Sequence, residues 1–294
     1  MNHSILTLVS LFAIPAALGA CSAGGESNQT SRNTLDTVSE TALDSPSESR
    51  CAETPTSVKC SKNSTRIDGR EVHWQIPVGT PPAGGWPTVL IFQGSLFTAE
   101  LTWQAEKGLP FGAYYQTLVV KRLLDHGFAV IAPEAHGEGT TFWDTNNPLF
   151  ALNWKASGDH RLMLAIFDAI DSGKFGQLRG TRMYATGISS GGYMTSRMGV
   201  AYPERFAALG VQSGSYATCA GPVCSVPALS SDHPPTLLLH GSADLTVPLY
   251  TARRYEAALK SAGIDNDFIV RSGAGHEWIA EAPDAVLRWF QSHP

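Results

Sequence analysis

Apolar residues along this chain gather in short continuous runs separated by stretches of helical spacing, and the two patterns alternate. Thr88–Phe92, Phe128–Ala132, Met183–Ile188, Ala207–Gln212 and Thr236–His240 are runs of five or six mostly apolar residues, the pattern of strands buried on both faces of a parallel sheet. Glu71–Ile76 alternates instead and reads as an edge strand, and Phe268–Arg271 as a last short strand. Between them, Tyr114–His126 and Ser157–Ile170 carry apolar residues at helical spacing, as do Tyr193–Ala201, Thr251–Ala262 and Ala285–Gln291. Gly127 and Gly263 follow two of these helices as C-cap residues. Strand and helix in this alternation imply parallel crossovers, hence an α/β fold with a doubly wound sheet and helices on both faces.

The pattern does not begin at residue 1. Ile5–Leu18 is an apolar run followed by Leu18-Gly19-Ala20-Cys21, so residues 1–21 read as an export signal. The same four residues resemble a bacterial lipobox, in which Cys21 becomes the lipidated first residue; cleavage with full release is the alternative. Residues 22–50 are rich in Ser, Thr and Glu with almost no large apolar side chains, the composition of a disordered tether. Residues 51–294 are left for one catalytic-sized α/β domain.

Composition narrows the partners. A formal net charge of -5 and the lack of any Lys/Arg run argue against nucleic acid, and no apolar run reaches the ~18 residues of a spanning helix, so a membrane enters only through the possible lipid anchor. Besides Cys21 there are four cysteines, an even number in an exported chain. Proximity pairs Cys51 with Cys60 and Cys219 with Cys224, the second closing a loop that holds Gly221-Pro222.

The chemistry centres on Gly187-Ile188-Ser189-Ser190-Gly191, which fits the G-x-S-x-G turn that lifts a serine above the end of a sheet. Asp244 follows the strand Thr236–His240, and His276 follows Phe268–Arg271. Ser189, Asp244 and His276 thus fall in the order nucleophile, acid, base, each just beyond a strand, where loops of parallel sheets collect active groups. A serine hydroxyl needs a neutral imidazole to take its proton, and the imidazole needs a carboxylate to fix its tautomer. Asp232, Asp265 and Asp267 lie off that loop position, and His240 is expected to pack beneath the site. The oxyanion of an ester intermediate needs two backbone N–H donors; Ser190 supplies one, and Ser95 is preferred to Gly94 or Leu96 for the other. Glu134-Ala135-His136-Gly137-Glu138 has no ligand-helix spacing, so neither metal nor cofactor is expected.

The box Gly187-Ile188-Ser189-Ser190-Gly191-Gly192-Tyr193-Met194, together with His240-Gly241-Ser242-Ala243-Asp244 and Gly275-His276-Glu277-Trp278, resembles the extracellular medium-chain-length polyhydroxyalkanoate depolymerases of the α/β-hydrolase superfamily. The resemblance spans roughly residues 60–292 and implies a serine esterase acting on a hydrophobic polyester of 3-hydroxyalkanoates. Polymer contact is then expected from the catalytic domain itself. Trp103, Trp143, Trp154 and Trp278 are candidates for an apolar adsorption surface, or else belong to the core. Two other readings fit the same residues: a general carboxylesterase or feruloyl-type esterase on soluble esters, and a non-catalytic surface binding protein that kept the fold.

Overall fold

The computed structural model describes residues 48–137, 141–220 and 223–294. The leader, Cys21 and nearly all of the tether lie outside the described residues, as do Glu138 and Gly221-Pro222. The described residues form one compact unit.

Its frame is an eight-stranded sheet of β1 (Asn63–Ile67), β2 (Arg70–Gln75), β3 (Thr88–Phe92), β4 (Ala129–Pro133), β5 (Met183–Ile188), β6 (Phe206–Gln212), β7 (Thr236–Gly241) and β8 (Asn266–Arg271). Their spatial order is β1-β2-β4-β3-β5-β6-β7-β8. The last six in that order run parallel, while β1 and β2 are antiparallel additions. The expected apolar runs are therefore the central strands, because only strands covered on both faces need apolar residues on both.

β3 shows how one strand feeds two cores. Val89 and Ile91 pack with Val119, Leu123 and Phe290 of α1 (Ala113–Asp125) and α6 (Ala282–Ser292). Leu90 and Phe92 point the other way, to Leu162, Ile166 and Met194 of α3 (Gly158–Asp171) and α4 (Ser190–Ala201). Side chains alternate across a strand, so every position of such a run is buried. A short α2 (Pro148–Leu152) precedes α3, and α5 (Leu249–Ser261) packs Tyr255 and Leu259 against Val211 and Leu238.

The edge assignment changes. β2 is an interior strand, paired with β4 on one side and β1 on the other. β1 is Asn, Ser, Thr, Arg and Ile, so it lacks the apolar alternation that marks a strand. Its signature lies in the turn, where Asp68 and Gly69 both take positive φ (48° and 76°), the hairpin geometry that Asp-Gly favours.

Cys51 is bridged to Cys60 and Cys219 to Cys224. Each bridge joins two short antiparallel strands directly opposite one another. The first pair is nearly buried against α1.

Candidate active site

Ser189 sits where β5 turns into α4, with φ 57° and ψ -119°, a backbone conformation that side chains rarely adopt. The turn is held by Ser189 N–H donating to Gln212 O (3.1 Å) and by Tyr193 N–H donating to Ser189 O (2.9 Å). Glycine is required around it because the helix enters almost in contact with the sheet. A Cβ on Gly191 would stand 2.1 Å from Phe92 O, and one on Gly187 2.6 Å from Gly191 O.

The loops that carry Asp244 and His276 meet by the same device. A Cβ on Gly241 would stand 2.3 Å from Ala274 O, and Ala243 N–H donates to that carbonyl at 2.9 Å. Across this contact His276 Nδ1 lies 2.8 Å from Asp244 Oδ2. The other carboxylate oxygen accepts the N–H groups of Thr246 (2.9 Å) and Val247 (2.8 Å). His240 packs beneath, donating Nε2–H to Val247 O at 2.8 Å and lying 3.4 Å from Asp244 Oδ2. Burial alone would push the Asp244 carboxyl up, but the hydrogen bonds from His240, His276 and Val247 outweigh it and hold the group well below the ordinary carboxylate range. An ionised Asp244 can only accept, so His276 donates Nδ1–H to it and keeps Nε2 as an acceptor.

Ser189 and His276 open onto one cavity of about 490 Å³, lined also by Gly94, Ser95, Phe111 and Asn146. Leu96 N–H is taken by Thr141 O (3.1 Å), so it is already engaged within its own loop. Phe111 stands edge-on to His276 at 6.1 Å. Its loop is pressed onto the His276 loop, since Trp278 N–H donates to Phe111 O and a Cβ on Gly112 would stand 2.2 Å from Trp278 O.

A 49% identity over 258 residues, 84% of this chain and 92% of the other, relates the protein to a poly(3-hydroxyoctanoate) depolymerase of Pseudomonas fluorescens. The chain belongs to the poly(3-hydroxyoctanoate) depolymerase family. An acetylxylan esterase A of Talaromyces purpureogenus is 30% identical over 202 residues, 59% of this chain and 50% of that protein. The prolyl oligopeptidase family is matched over residues 222–293, the segment that carries Asp244 and His276. Among solved structures, a truncated carbohydrate esterase from gut microbiota superposes with a TM-score of 0.54 at 16% identity, over 85% of this chain and 99% of that one. The fold is that of the α/β-hydrolases, and this family member is a carboxylic ester hydrolase.

Of the two readings open for the four tryptophans, the core reading holds: Trp103, Trp143 and Trp278 are at most 1% exposed and Trp154 8%. The exposed apolar residues on the segments around the cavity are mainly aliphatic, with Leu96 and Leu149 at 77% and Leu245 at 92%, and Phe111 joins them at 44%. Gln212, Ser213, Phe111 and Asn146 carry no motif. Gln212 Nε2 donates to Leu239 O and Glu277 O, and Ser213 Oγ to Glu277 O, so both hold the His276 loop. A glutamine closing an apolar strand run was their one visible signal.

His136, Asp144 and Asp159 have ligand atoms within 4.8 Å of one another. The Asp159 carboxylate is already taken up by the Arg70 guanidinium and the Asp144 N–H. The cluster is therefore a buried ion-pair network that fixes the loop after Trp143.

Proposed function

We propose that the protein hydrolyses the ester bonds of medium-chain-length poly(3-hydroxyalkanoates) through a Ser189–His276–Asp244 triad and an acyl-enzyme. The observation that carries this reading is the 2.8 Å contact of His276 Nδ1 with Asp244 at the mouth of the cavity that Ser189 enters. Ser189 Oγ attacks the ester carbonyl while His276 Nε2 takes its proton, and Asp244 stabilises the imidazolium without being protonated. The Ser190 and Ser95 N–H groups receive the oxyanion. Collapse expels the alcohol end of the polymer, which takes the proton from His276. Water, deprotonated by the same imidazole, then attacks the acyl-Ser189 carbonyl and restores the hydroxyl.

A water-insoluble substrate needs an apolar face beside the mouth. Leu96 and Phe111 line the cavity, Leu245 adjoins its residue Thr246, and Leu149 and Leu152 follow Asn146 on α2. Together these side chains supply such a face. The apolar leader, the two disulfides and Cys21 support export, with lipid attachment or release as its two outcomes.

The likeness to an acetylxylan esterase favours, as a second reading, a carboxylesterase of soluble esters. Clearing of a poly(3-hydroxyoctanoate) latex, measured beside hydrolysis of soluble nitrophenyl esters, separates the two. Clearing is expected, and activity confined to the soluble esters would overturn the polymer reading. A fluorophosphonate probe should label the protein, labelling should vanish in Ser189→Ala, and it should persist in Ser190→Ala.

A further inference from the structure

The side chain of Ser190 has no part in the reaction above, yet it is completely buried and fully hydrogen-bonded. Its Oγ accepts the Trp143 backbone N–H at 2.9 Å and stands 3.0 Å from Asn146 Oδ1. A backbone N–H can only donate, so this bond leaves the hydroxyl with its own proton to place. A buried hydroxyl proton without an acceptor costs about as much as a lost hydrogen bond. Asn146 is the acceptor within reach, so its carboxamide oxygen faces Ser190 and its NH2 group faces away.

Asn146 is exposed and lines the cavity with Ser189 and His276. No described residue accepts a hydrogen bond from its Nδ2. The backbone that carries it is fixed on three sides. Trp143 Nε1–H donates to Gln93 O at 3.0 Å, and the Trp143 ring stands edge-on to Phe92 at 5.2 Å. Asp144 and Asp159 exchange backbone-to-carboxylate hydrogen bonds, with Arg70 on the far carboxylate oxygen. Asn147 Oδ1 accepts Leu149 N–H and caps α2. The amide donor is thus held in place before substrate arrives, which spares the ordering cost of recruiting it.

A poly(3-hydroxyalkanoate) chain repeats an ester carbonyl every four backbone atoms, so a bound strand offers a second carbonyl close to the scissile one. Much of the cavity's remaining lining is apolar, with Leu96, Phe97, Phe111, Ile188 and Val247. A preplaced donor in such a wall favours a ligand that brings an acceptor to it over one that does not. We infer that Asn146 is a specificity-determining residue whose Nδ2–H donates to the carbonyl of the repeat unit next to the ester being cleaved, in the orientation imposed by the Ser190 hydroxyl. This rests on the polyester reading, and it gives the second serine of the Gly187–Gly191 box a task in substrate selection.

The test compares kcat/KM for a soluble dimeric 3-hydroxyoctanoate ester, which has two ester groups, with that for a nitrophenyl octanoate, which has one. Asn146→Ala is expected to lower the diester-to-monoester ratio about tenfold, the loss of one hydrogen bond. Asn146→Asp keeps an acceptor for Ser190 and removes the donor, and should lower the ratio to a similar degree. A fall in Asn146→Ala alone would mean that the residue only supports its loop, and would overturn the inference. So would an equal loss on both substrates, which would put the amide on the scissile ester, and so would an unchanged ratio in both variants. Latex clearing by the unaltered protein is scored separately, so failure on the polymer and failure of the Asn146 donor are distinguishable.

Discussion

Asp244 accepts three hydrogen bonds, of which the one from a side chain is from His276 Nδ1 at 2.8 Å, and His240 Nε2 lies 3.4 Å away. The carboxylate is fully enclosed, with no exposed side-chain surface. Its job in the proposed reaction is to hold one tautomer and balance one charge. Asp244→Asn keeps the shape, loses the charge and can present an N–H to the imidazole. Its kcat on a soluble ester should fall by roughly 10³- to 10⁴-fold with little change in KM. A fall of less than tenfold would remove Asp244 from the triad.

The elbow predicts a steric outcome. Gly191→Ala places a methyl group where Phe92 O already stands 2.1 Å from the ideal Cβ position, and backbone on both sides prevents relaxation. The variant should lose about 3 kcal/mol or more of stability or fail to accumulate folded protein. Chemical denaturation gives the figure, and a native-like midpoint would show that helix and strand can separate.

The sheet and the reacting groups were legible in the sequence because both rest on local pattern. Leu90 and Phe92 are buried for the same reason as Val89 and Ile91, so the run itself revealed a two-faced strand. Ser189 and Asp244 each follow such a run, and His276 follows the partly buried strand at the sheet edge. What stayed hidden depends on tertiary contact: β1 is polar because one side of it has no neighbouring strand, and Asn146 sits in an unpatterned loop. The tryptophans were ambiguous for a related reason, since a loop position in sequence does not tell which way a large ring points.

Asp159 makes stability depend on pH. Burial pushes its carboxyl up to about 6 from an ordinary 3.8, with Arg70 pulling it back and Asp144 pushing it further. Between those values the native chain holds a proton that the unfolded chain has released, so stability falls as pH rises through the window. Relative to Asp159→Asn, which lacks this group, the unaltered protein should lose stability between pH 4.5 and 7. Denaturant midpoints of both proteins at the two pH values measure the change, and a gap independent of pH would contradict it.

The Cys51–Cys60 bridge spans nine residues of sequence. Closing a loop of that size removes about 2–3 kcal/mol of unfolded-state entropy. Replacing both cysteines by alanine should therefore lower the melting temperature by several degrees. Titration of native protein finding four free thiols would refute both bridges.

If the aliphatic rim meets the polymer, polar substitutions on it should act on the solid and not on dissolved ester. Leu149→Ser with Leu152→Ser is expected to lower the ratio of latex clearing to soluble-ester turnover about thirtyfold, since two large side chains lose roughly 2 kcal/mol of apolar contact. An unchanged ratio would move the contact surface elsewhere.

The close approach of Gly241 to Ala274 also divides the molecule into parts that can be exchanged and parts that cannot. The acid and base loops touch backbone to backbone, so neither tolerates a longer or bulkier graft without the other yielding. The segments around Leu96 and α2 meet the cavity through side chains and are tied down at a few named hydrogen bonds. An engineer seeking a new acyl or alcohol preference would leave the first pair untouched and diversify the second, keeping Ser190, Trp143 and Asp159 as fixed anchors.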